Sequence, residues 1–403
     1  MVVPYSAPES WLRYDPLAVI QELTEAKAAV MSLAAMPYQR AWADRLQAIE
    51  LKREVAGTSR IEGADFTERE LDEALRTGTP DDRLTRSQRQ ARAAKRAYEW
   101  IATVPADRPI DDDIVRQVHR LIVTGCDDDH CAPGILRGSG QNVIYGRPRH
   151  RGVEGGGECA TLFKGLMIAL GNEFRAHDPL IQALALHYHL GAMHPFMDGN
   201  GRTARALEAL MLRRVQLKDT LFIAMSNYYY DEKERYLDTL SAVRANNYDL
   251  TPFLKFGLRG IAQQCGRLMR EIRTQVSKSL FRDVMRQMYS RLESTRKRAL
   301  AVRQVAILEK LLQLDDEIEF MKLWDEMADL YDDLKAPERA FYRDLDYLEG
   351  LKAIYIRTDA GVRPTAWFSI RLEWATEITE TAFFREISRL PEAKSRFLSL
   401  RIR

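Results

Sequence analysis

The sequence predicts a mainly α-helical protein with a β-hairpin flap near its middle and a winged-helix-like domain near its C-terminus. Three observations lead to this fold class. Ala, Leu, Arg and Glu, which are good helix formers, dominate most of the 403 residues. A glycine-rich stretch at about 125–157 has a β-prone centre. Helical patterns that begin near residue 300 lead into two strand-like runs.

Composition excludes several classes of protein. Lys and Arg number 60 against 58 for Asp and Glu, so the net charge of +2 gives no global sign of nucleic-acid or membrane binding. No apolar run approaches the ~18 residues that span a bilayer, and the N-terminus does not resemble a signal peptide. Four cysteines are too few for a disulfide scaffold. We therefore expect a cytoplasmic protein without a membrane partner.

The N-terminal region, 1–105, is predicted to be helical. Apolar side chains at helical spacing indicate helix over 17–56, and Gly63 is placed to close a helix. The run 77–80 should break the chain, and a new helix should begin at about residue 84. The apolar residues are Leu17, Ile20, Leu23, Leu46, Ile49 and Val55.

A helical core is predicted over 106–260. A structureless stretch as long as 125–157 is uncommon in a compact domain unless it is functional, so we interpret it as a β-hairpin flap around 142–145. Helices should resume near 159 and run to about 298, with a break at 195–201. The segment 261–299 of that run is predicted to be a connector helix.

The break contains the sequence HPFMDGNGRTAR at 194–205. Pro195 disfavours the helical conformation at His194 and removes a backbone donor. Gly199 and Gly201 permit a tight turn before a second helix starts at about Arg202. Because backbone N–H groups at a helix N-terminus bind anions, this turn predicts an anion site.

Charged side chains around the turn point to phosphate chemistry. Arg202 and Arg205 lie one helical turn apart, and guanidinium groups suit phosphate oxygens. Asp198 beside them indicates Mg²⁺, which takes one or two carboxylates together with phosphate oxygens. His194 at the rim could accept a proton near neutral pH. These residues predict a phosphoryl- or nucleotidyl-transfer site.

The segment resembles the signature of the Fic (filamentation-induced-by-cAMP) family of AMP-transferases, HPFx[DE]GNGRxxR, at every fixed position. The resemblance implies a Fic catalytic core in which His194 deprotonates a hydroxyl of a target protein, which then attacks the α-phosphate of ATP. By the same resemblance Asp198 would hold Mg²⁺ and Phe196 would anchor the loop. The residues implied to bind the nucleotide are Gly199, Asn200, Gly201, Arg202 and, for the γ-phosphate, Arg205.

An upstream motif, TSRIEG at 58–63, resembles the inhibitory-helix pattern of the family, [ST]xxxE[GN]. By that resemblance Glu62 would pair with Arg205 and hold ATP in a pose unsuited to in-line attack. A surface glutamate at a helix end is the plainer alternative. In some relatives the same glutamate aligns a water that removes AMP, so an AMP-removing phosphodiesterase also stays open.

The flap and a downstream region complete the predicted site. An exposed β-edge can take an extended peptide as an additional strand, so we expect the target protein to dock there. The basic run at 147–152 indicates either acidic partners or a solvated loop. The predicted docking residues are Asn142, Val143, Ile144 and Tyr145. For the adenine pocket the candidates are Tyr236 and Asn246.

The C-terminal part suggests a rival function. A winged-helix-like domain at 300–375, with a turn at 359–361 and a tail at 376–403, would fit a transcriptional regulator whose core only senses nucleotide. However, residues 315–349 contain 13 acidic and 4 basic residues, whereas DNA binding depends on Lys and Arg at phosphates. We therefore favour protein interaction, including a homo-oligomer. Transfer of another nucleotide stays open, because the turn contacts phosphates and not the base.

Overall fold

A computed structural model describes residues 4–36, 40–76, 78–127, 129–146, 148–214, 223–292, 295–359 and 365–389, together with 395, 397 and 400. The chain forms two compact units, Met1–Arg270 and Glu271–Arg403. Helices dominate both, which confirms the mainly α fold class. The division into five segments stays a prediction. The predicted turn residues Thr77, Arg147 and Gly361, and much of the tail, lie outside the described residues.

The first unit is built from helices and one short hairpin. The predicted helix over 17–56 is in fact two helices, because Pro37 cannot continue a helix and Met36 already has an extended ψ of 132°. Gly63 closes the second, with φ of +92° and its N–H bonded to the Arg60 carbonyl at 3.1 Å. The elements are α1 (Pro16–Ala35), α2 (Arg40–Ile61), α3 (Glu68–Leu75), α4 (Arg86–Thr103), α5 (Asp112–Val123), β1 (Ile144–Tyr145), β2 (His150–Arg151), α6 (Gly157–Gly171), α7 (Pro179–Met193), α8 (Asn200–Arg213), α9 (Met225–Asp231), α10 (Lys233–Ala245) and the first part of α11 (Thr251–Ser290).

Two buried helices hold the predicted site in place. Nearly every residue of α7 and α8 is buried, so both helices belong to the core of the first unit. Asp178 caps α7 by accepting the Leu180 N–H at 3.0 Å. The six residues between α7 and α8 form the break that the sequence predicts. Because both ends of this loop are fixed by core helices, its groups are positioned rigidly.

The hairpin of β1 and β2 forms the predicted flap. Its strands pair antiparallel, with Tyr145 opposite His150. The outer edge of β2 is covered by the N-terminal segment of the chain itself. Pro4 forms a parallel bridge with Arg151, and the Tyr5 N–H donates to the Arg151 carbonyl at 3.2 Å. Among the described residues, no strand pairs with the opposite edge of β1.

The second unit combines helices with a three-stranded antiparallel sheet of order β3-β5-β4. Its helices precede a two-stranded hairpin in the predicted order, and a short strand after the first of these helices was not predicted. The winged-helix-like assignment stays a prediction. One acidic residue of the predicted acidic region, Asp344, is buried and pairs with Arg303 at 2.7 Å. The elements are the end of α11, α12 (Thr295–Gln313), β3 (Ile318–Glu319), α13 (Phe320–Met327), α14 (Pro337–Gly350), β4 (Ile354–Asp359), β5 (Thr365–Ile370), α15 (Trp374–Glu377) and α16 (Glu380–Ser388). None of the described helices of the chain is long and apolar enough to cross a membrane.

Candidate active site

The loop between α7 and α8 adopts the tight turn that its sequence predicts. Both His194 and Gly199 have left-handed backbones, with φ of 50° and 72°. At Gly199 a Cβ atom would also lie 2.7 Å from Val123, so glycine is required there. The Asn200 side chain closes the loop by accepting the Phe196 N–H and donating to the Phe196 carbonyl, both at 2.9 Å. Asn200 therefore braces the loop from within.

The loop rests on a buried histidine that the sequence analysis did not single out. The Phe196 ring is fully buried and stacks on His119 at 3.7 Å between ring centroids. Because His119 accepts the Gly134 N–H at Nδ1, its proton lies on Nε2, which donates to the Asp198 carbonyl at 3.0 Å. Burial lowers the pKa of His119 to about 4, so the ring stays neutral. Its position on an apolar helix face gave no signal in the sequence.

His194 is held as a neutral base whose Nε2 remains available. Its Nδ1 bonds to the Gly191 carbonyl at 2.5 Å, which places the proton on Nδ1 and leaves the lone pair on Nε2. Tyr145 of the flap stacks on the ring at 3.7 Å. Enclosure by the protein lowers the pKa of His194 to about 4; Arg137 acts in the same direction, while the Gly191 carbonyl and Glu62 oppose it. The imidazole is therefore unprotonated at neutral pH and can accept a proton.

Arg202 lies almost completely buried below the loop. Its guanidinium is paired with Asp127 at 2.7 Å, and a weaker contact to Asp198 measures 3.4 Å. The Nε atom is buried without a hydrogen-bond partner among the described residues. Arg202 therefore acts on an anion at the turn through its charge, which also reaches the Glu62 carboxylate.

Asp198 lies at the mouth of the site beside a second histidine missed by the sequence analysis. His130 contacts Asp198 at 2.9 Å, and a ligand atom of Asp127 lies within 4.8 Å of both. Burial opposes ionisation, yet the His130 hydrogen bond and the charge of Arg202 lower the pKa of Asp198. An ionised carboxylate next to an anion site suits Mg²⁺. Asp127 suits it less, because Arg86 and Arg202 already neutralise its charge.

Glu62 lies on the predicted anion site. Its carboxylate accepts from Arg205 at 2.6 Å and is so close to Gly201 that a Cβ there would lie 2.2 Å from the same oxygen. The Glu62 side chain is only partly enclosed; its partial loss of water acts to raise its pKa, but the charges of Arg205 and Arg202 lower it. Thr58 of α2 also binds Arg205, through its hydroxyl at 2.9 Å and its carbonyl at 3.1 Å. Two residues of the TSRIEG motif thus converge on one arginine.

A buried carboxylate docks α2 against its neighbours. Glu54 accepts the Tyr98 hydroxyl at 2.8 Å and the Ser226 N–H at 2.7 Å. Burial raises the pKa of Glu54 to about 7, although these hydrogen bonds oppose the shift. One turn later Gly57 packs so tightly that a Cβ would lie 2.5 Å from the Ser226 carbonyl. These contacts fix the helix that presents Glu62.

A cavity of about 410 Å³ joins these groups. One end is the anion site and the other lies between the flap and α10. Nine of the predicted site residues line it: Glu62, Tyr145, His194, Asp198, Gly199, Asn200, Gly201, Arg205 and Tyr236. Lining residues that the sequence analysis missed include His150, Lys233, Leu237, Leu240, Ser241 and Arg244. A period of 3.6 residues along α10 was the signal that could have identified Lys233, Leu237 and Leu240.

Five predicted residues do not line this cavity. Arg202 lies beneath it, fully enclosed. Asn246 caps the C-terminus of α10 and is exposed, so the structure does not bring it to the site. The others, Asn142, Val143 and Ile144, lie at or just before β1, outside the cavity.

Comparison with known proteins identifies the domain that holds this site. Residues 109–212 match the model of the Fic/DOC family. A protein adenylyltransferase Fic of Nematostella vectensis is 37% identical over 81 residues, which cover 20% of this chain and 17% of that protein. The corresponding protein of Drosophila willistoni is 32% identical over 105 residues, which cover 25% of this chain and 19% of that protein. The matched region thus spans less than a fifth of either relative.

Solved structures share the fold. Residues 134–508 of Fic-1 from C. elegans superimpose with a TM-score of 0.53 at 20% identity, covering 64% of this chain and 75% of that one. A Fic family protein from Desulfovibrio desulfuricans G20 gives a TM-score of 0.54 at 19% identity, and the match covers 91% of this chain and 98% of that one. These matches show that residues 109–212 form a Fic/DOC domain and that the chain shares the fold of solved Fic proteins.

Proposed function

We propose that this protein is a protein adenylyltransferase that transfers AMP from ATP to a hydroxyl of a target protein or of itself, and that Glu62 inhibits it. The observation that carries the proposal is the juxtaposition at the cavity floor. A neutral histidine with an available Nε2 lies beside an anion-binding helix N-terminus, and the chain's own carboxylate lies on that N-terminus. The names of the matched relatives support the same activity.

The transfer step needs a base and a set of phosphate-binding groups. His194 Nε2 would take the proton of the attacking hydroxyl. The oxygen would bond to the α-phosphorus of ATP while the bond from that phosphorus to the bridging oxygen breaks, and pyrophosphate would leave. Arg202, Arg205 and the N–H groups at the start of α8 would stabilise the charge on the phosphates. Mg²⁺, held by Asp198, would supply further neutralisation of that charge.

The inhibition follows from competition for one arginine. Glu62 bonds to Arg205 at 2.6 Å and lies against Gly201, so a phosphate group cannot occupy the same space. ATP would have to displace this carboxylate or bind in another pose. We therefore propose that the inhibitory contact, Glu62 with Arg205, must open before transfer.

The other end of the cavity would hold the nucleoside. Leu237 and Leu240 of α10 supply apolar wall, and Tyr236 of the same helix also lines the cavity. Asn246 is exposed at the end of α10, so the cavity gives its proposed role no support. Arg244, which also bonds to the flap through Tyr145 at 3.3 Å, lies at this end instead.

The target protein would dock as a strand on the flap. The N-terminal segment already covers β2, so the proposed docking edge is that of β1, where Ile144 is 53% exposed. Tyr145 of the same strand stacks on His194. A peptide on this edge would therefore pass next to the base. The acidic segment 315–349 of the second unit is proposed to bind protein partners, with DNA binding as the rival.

Labelling with ATP tests the proposal. The protein is incubated with cell lysate, Mg²⁺ and either α-labelled or γ-labelled ATP. The proteins are then separated on a gel and the label is detected by autoradiography. We expect protein-bound α-label that is lost in the double variant Glu62→Gly/His194→Ala. Kinases of the lysate also transfer γ-phosphate, so γ-label is compared with the same double variant, and γ-label that requires His194 would show phosphate transfer and refute the proposal. The α-labelled forms of GTP, CTP and UTP test the other nucleotides, and a pre-modified protein tests AMP removal.

A further inference from the structure

We propose that Arg137 positions His194 for proton transfer by fastening the base of the flap to the loop that carries the histidine. The inference rests on the proposed function only in taking His194 as the base. Arg137 belongs neither to the signature at 194–205 nor to the motif at 58–63, and it does not line the cavity. It would therefore act through His194 and not on the reactants themselves.

The Arg137 guanidinium joins three separate parts of the chain. Its Nε atom donates to the His194 carbonyl at 2.7 Å. One terminal nitrogen donates to the Gln141 carbonyl, before the hairpin, and the other to the Val153 carbonyl, after it, both at 2.5 Å. Because a guanidinium has only donors and keeps its charge in proteins, the direction of all three hydrogen bonds is fixed. This side chain thus ties both ends of the flap to the catalytic loop.

The tie is made with a buried charge. Arg137 is 2% exposed, and its three acceptors are backbone carbonyls. Burying a charge is costly unless its donors are satisfied, and hydrogen bonds from an ionised donor are about twice as strong as neutral ones. An apolar side chain would pack at this place without that cost. The arginine is therefore explained by its three donors and not by its bulk.

The tie acts on the backbone from which the imidazole projects. His194 has a left-handed backbone, with φ of 50° and ψ of 61°, which is uncommon for a residue other than glycine. The Arg137 N–H also donates to the Pro195 carbonyl at 2.9 Å, so Arg137 holds two consecutive carbonyls of the loop. Gly152 packs so closely on this turn that a Cβ would lie 2.9 Å from the His194 Cβ. The flap base and the His194 backbone are thus held as one unit.

The flap also fixes the plane of the His194 ring. Tyr145 of β1 stacks on the imidazole at 3.7 Å, with 6° between the ring planes. Its hydroxyl donates to the Ala192 carbonyl at 2.8 Å. The two rings stay parallel only while β1 and the loop keep one relative position, and Arg137 bonds to both sides of that junction. Without Arg137 the junction loosens and Nε2 is displaced, and a displacement of about 1 Å at a reacting group costs about a hundredfold in rate.

Two variants in the Glu62→Gly background test this role. Arg137→Met removes every donor and should lower the initial rate of labelling about a hundredfold, while the Kd for ATP, measured by calorimetry, stays the same. Arg137→Lys keeps the charge but not the fork of donors, so its rate should lie between those of the parent and Arg137→Met. It also replaces Arg137→Met if that variant fails to fold. An unchanged rate, or a Kd for ATP that rises as much as the rate falls, would overturn the proposal.

The matched control removes a similar arginine elsewhere in the same domain. Arg213 donates to the carbonyls of Ile101 and Val104 at 3.1 and 3.2 Å, and it does not line the cavity. Arg213→Met should leave both the labelling rate and the Kd for ATP unchanged. A loss of rate in this control as large as that in Arg137→Met would contradict a specific role for Arg137.

A second readout requires no nucleotide. The Tyr145 ring should shift the ring-proton signals of His194 upfield in NMR spectra of histidine-labelled Glu62→Gly protein, and His194→Ala identifies these signals by their loss. They should move downfield in both Arg137 variants and stay in place in Arg213→Met. Signals that do not move in either Arg137 variant would refute the positioning role. Signals that move in a protein that transfers no AMP would support that role and count only against the proposed function.

Discussion

Removal of the Glu62 carboxylate is the sharpest test of the proposed inhibition. The contact to be broken joins Glu62 to Arg205 at 2.6 Å. Arg205 is 2% exposed, but the Glu62 side chain is 38% exposed, so solvent screens the pair. A hydrogen bond between charged groups contributes about 1.5–3 kcal/mol, and we take the lower value because of this screening. About 1.4 kcal/mol corresponds to a tenfold change, so Glu62→Gly should raise the rate of labelling roughly tenfold.

The assay compares initial rates of protein labelling with α-labelled ATP at a fixed concentration. Glu62→Gln keeps the shape and one acceptor oxygen but loses the charge, so its rate should lie between those of wild type and Glu62→Gly. Glu68→Gln is the matched control, because Glu68 pairs with Arg60 at 2.9 Å away from the cavity. It should leave the rate unchanged. The reasoning is refuted if both Glu62 variants bind ATP and label no faster than wild type.

Three further predictions concern the base and the docking of α2. Since His194 must be neutral to accept a proton and its pKa lies at about 4, the labelling rate of Glu62→Gly should rise with pH through about 4 and stay level from about 6 to 8; an inflection near the ordinary histidine value would contradict this. Gly57→Ala should lower the free energy of unfolding by about 1–3 kcal/mol through overpacking, which lowers Tm, and should speed labelling with Glu62 intact. Gly165→Ala is the control and should do neither, because its Cβ would meet nothing closer than 3.6 Å. Glu54 has a folded pKa of about 7, above that of an unfolded glutamate, so the folded state binds the extra proton. The free energy of unfolding should therefore fall as pH rises from about 4.5 to 7, by at most about 3 kcal/mol. Glu54→Gln should flatten this pH dependence in urea titrations, and an unchanged slope would count against the prediction.

Local sequence patterns predicted much of the fold because they depend on neighbouring residues. Pro195 and Gly199 favour a turn between two helices through their own backbone preferences, and the turn is found where it was expected, although Gly201 already lies within α8. The flap strands likewise follow from a β-prone run between glycines. The interruption of the first helix at Met36 was missed, although Pro37 carried the signal.

The resemblance of TSRIEG to a known motif predicted one distant pair, Glu62 with Arg205, and that contact is present. Other residues that act from far along the chain were not predicted. His119 supports the loop from α5, 77 positions before Phe196, on which it stacks. His130 reaches Asp198 across 68 positions, and Glu54 reaches Ser226 across 172. Such contacts follow from how helices pack and leave no periodic mark in the sequence. Asn246 was predicted for the adenine pocket from its position after the signature, but it caps the C-terminus of α10 and is exposed.

The sequence by itself determined the chemistry that we propose for this protein. The residue types and spacing at 194–205 predict a base, a metal carboxylate and an anion-binding turn, because all of them lie within one short local structure. Only the tertiary structure decided the state in which that chemistry is held. It brings Glu62 onto Arg205 from 143 positions away and encloses His194 so that its pKa falls to about 4. Both effects depend on distance and burial, which exist only after the helices have packed.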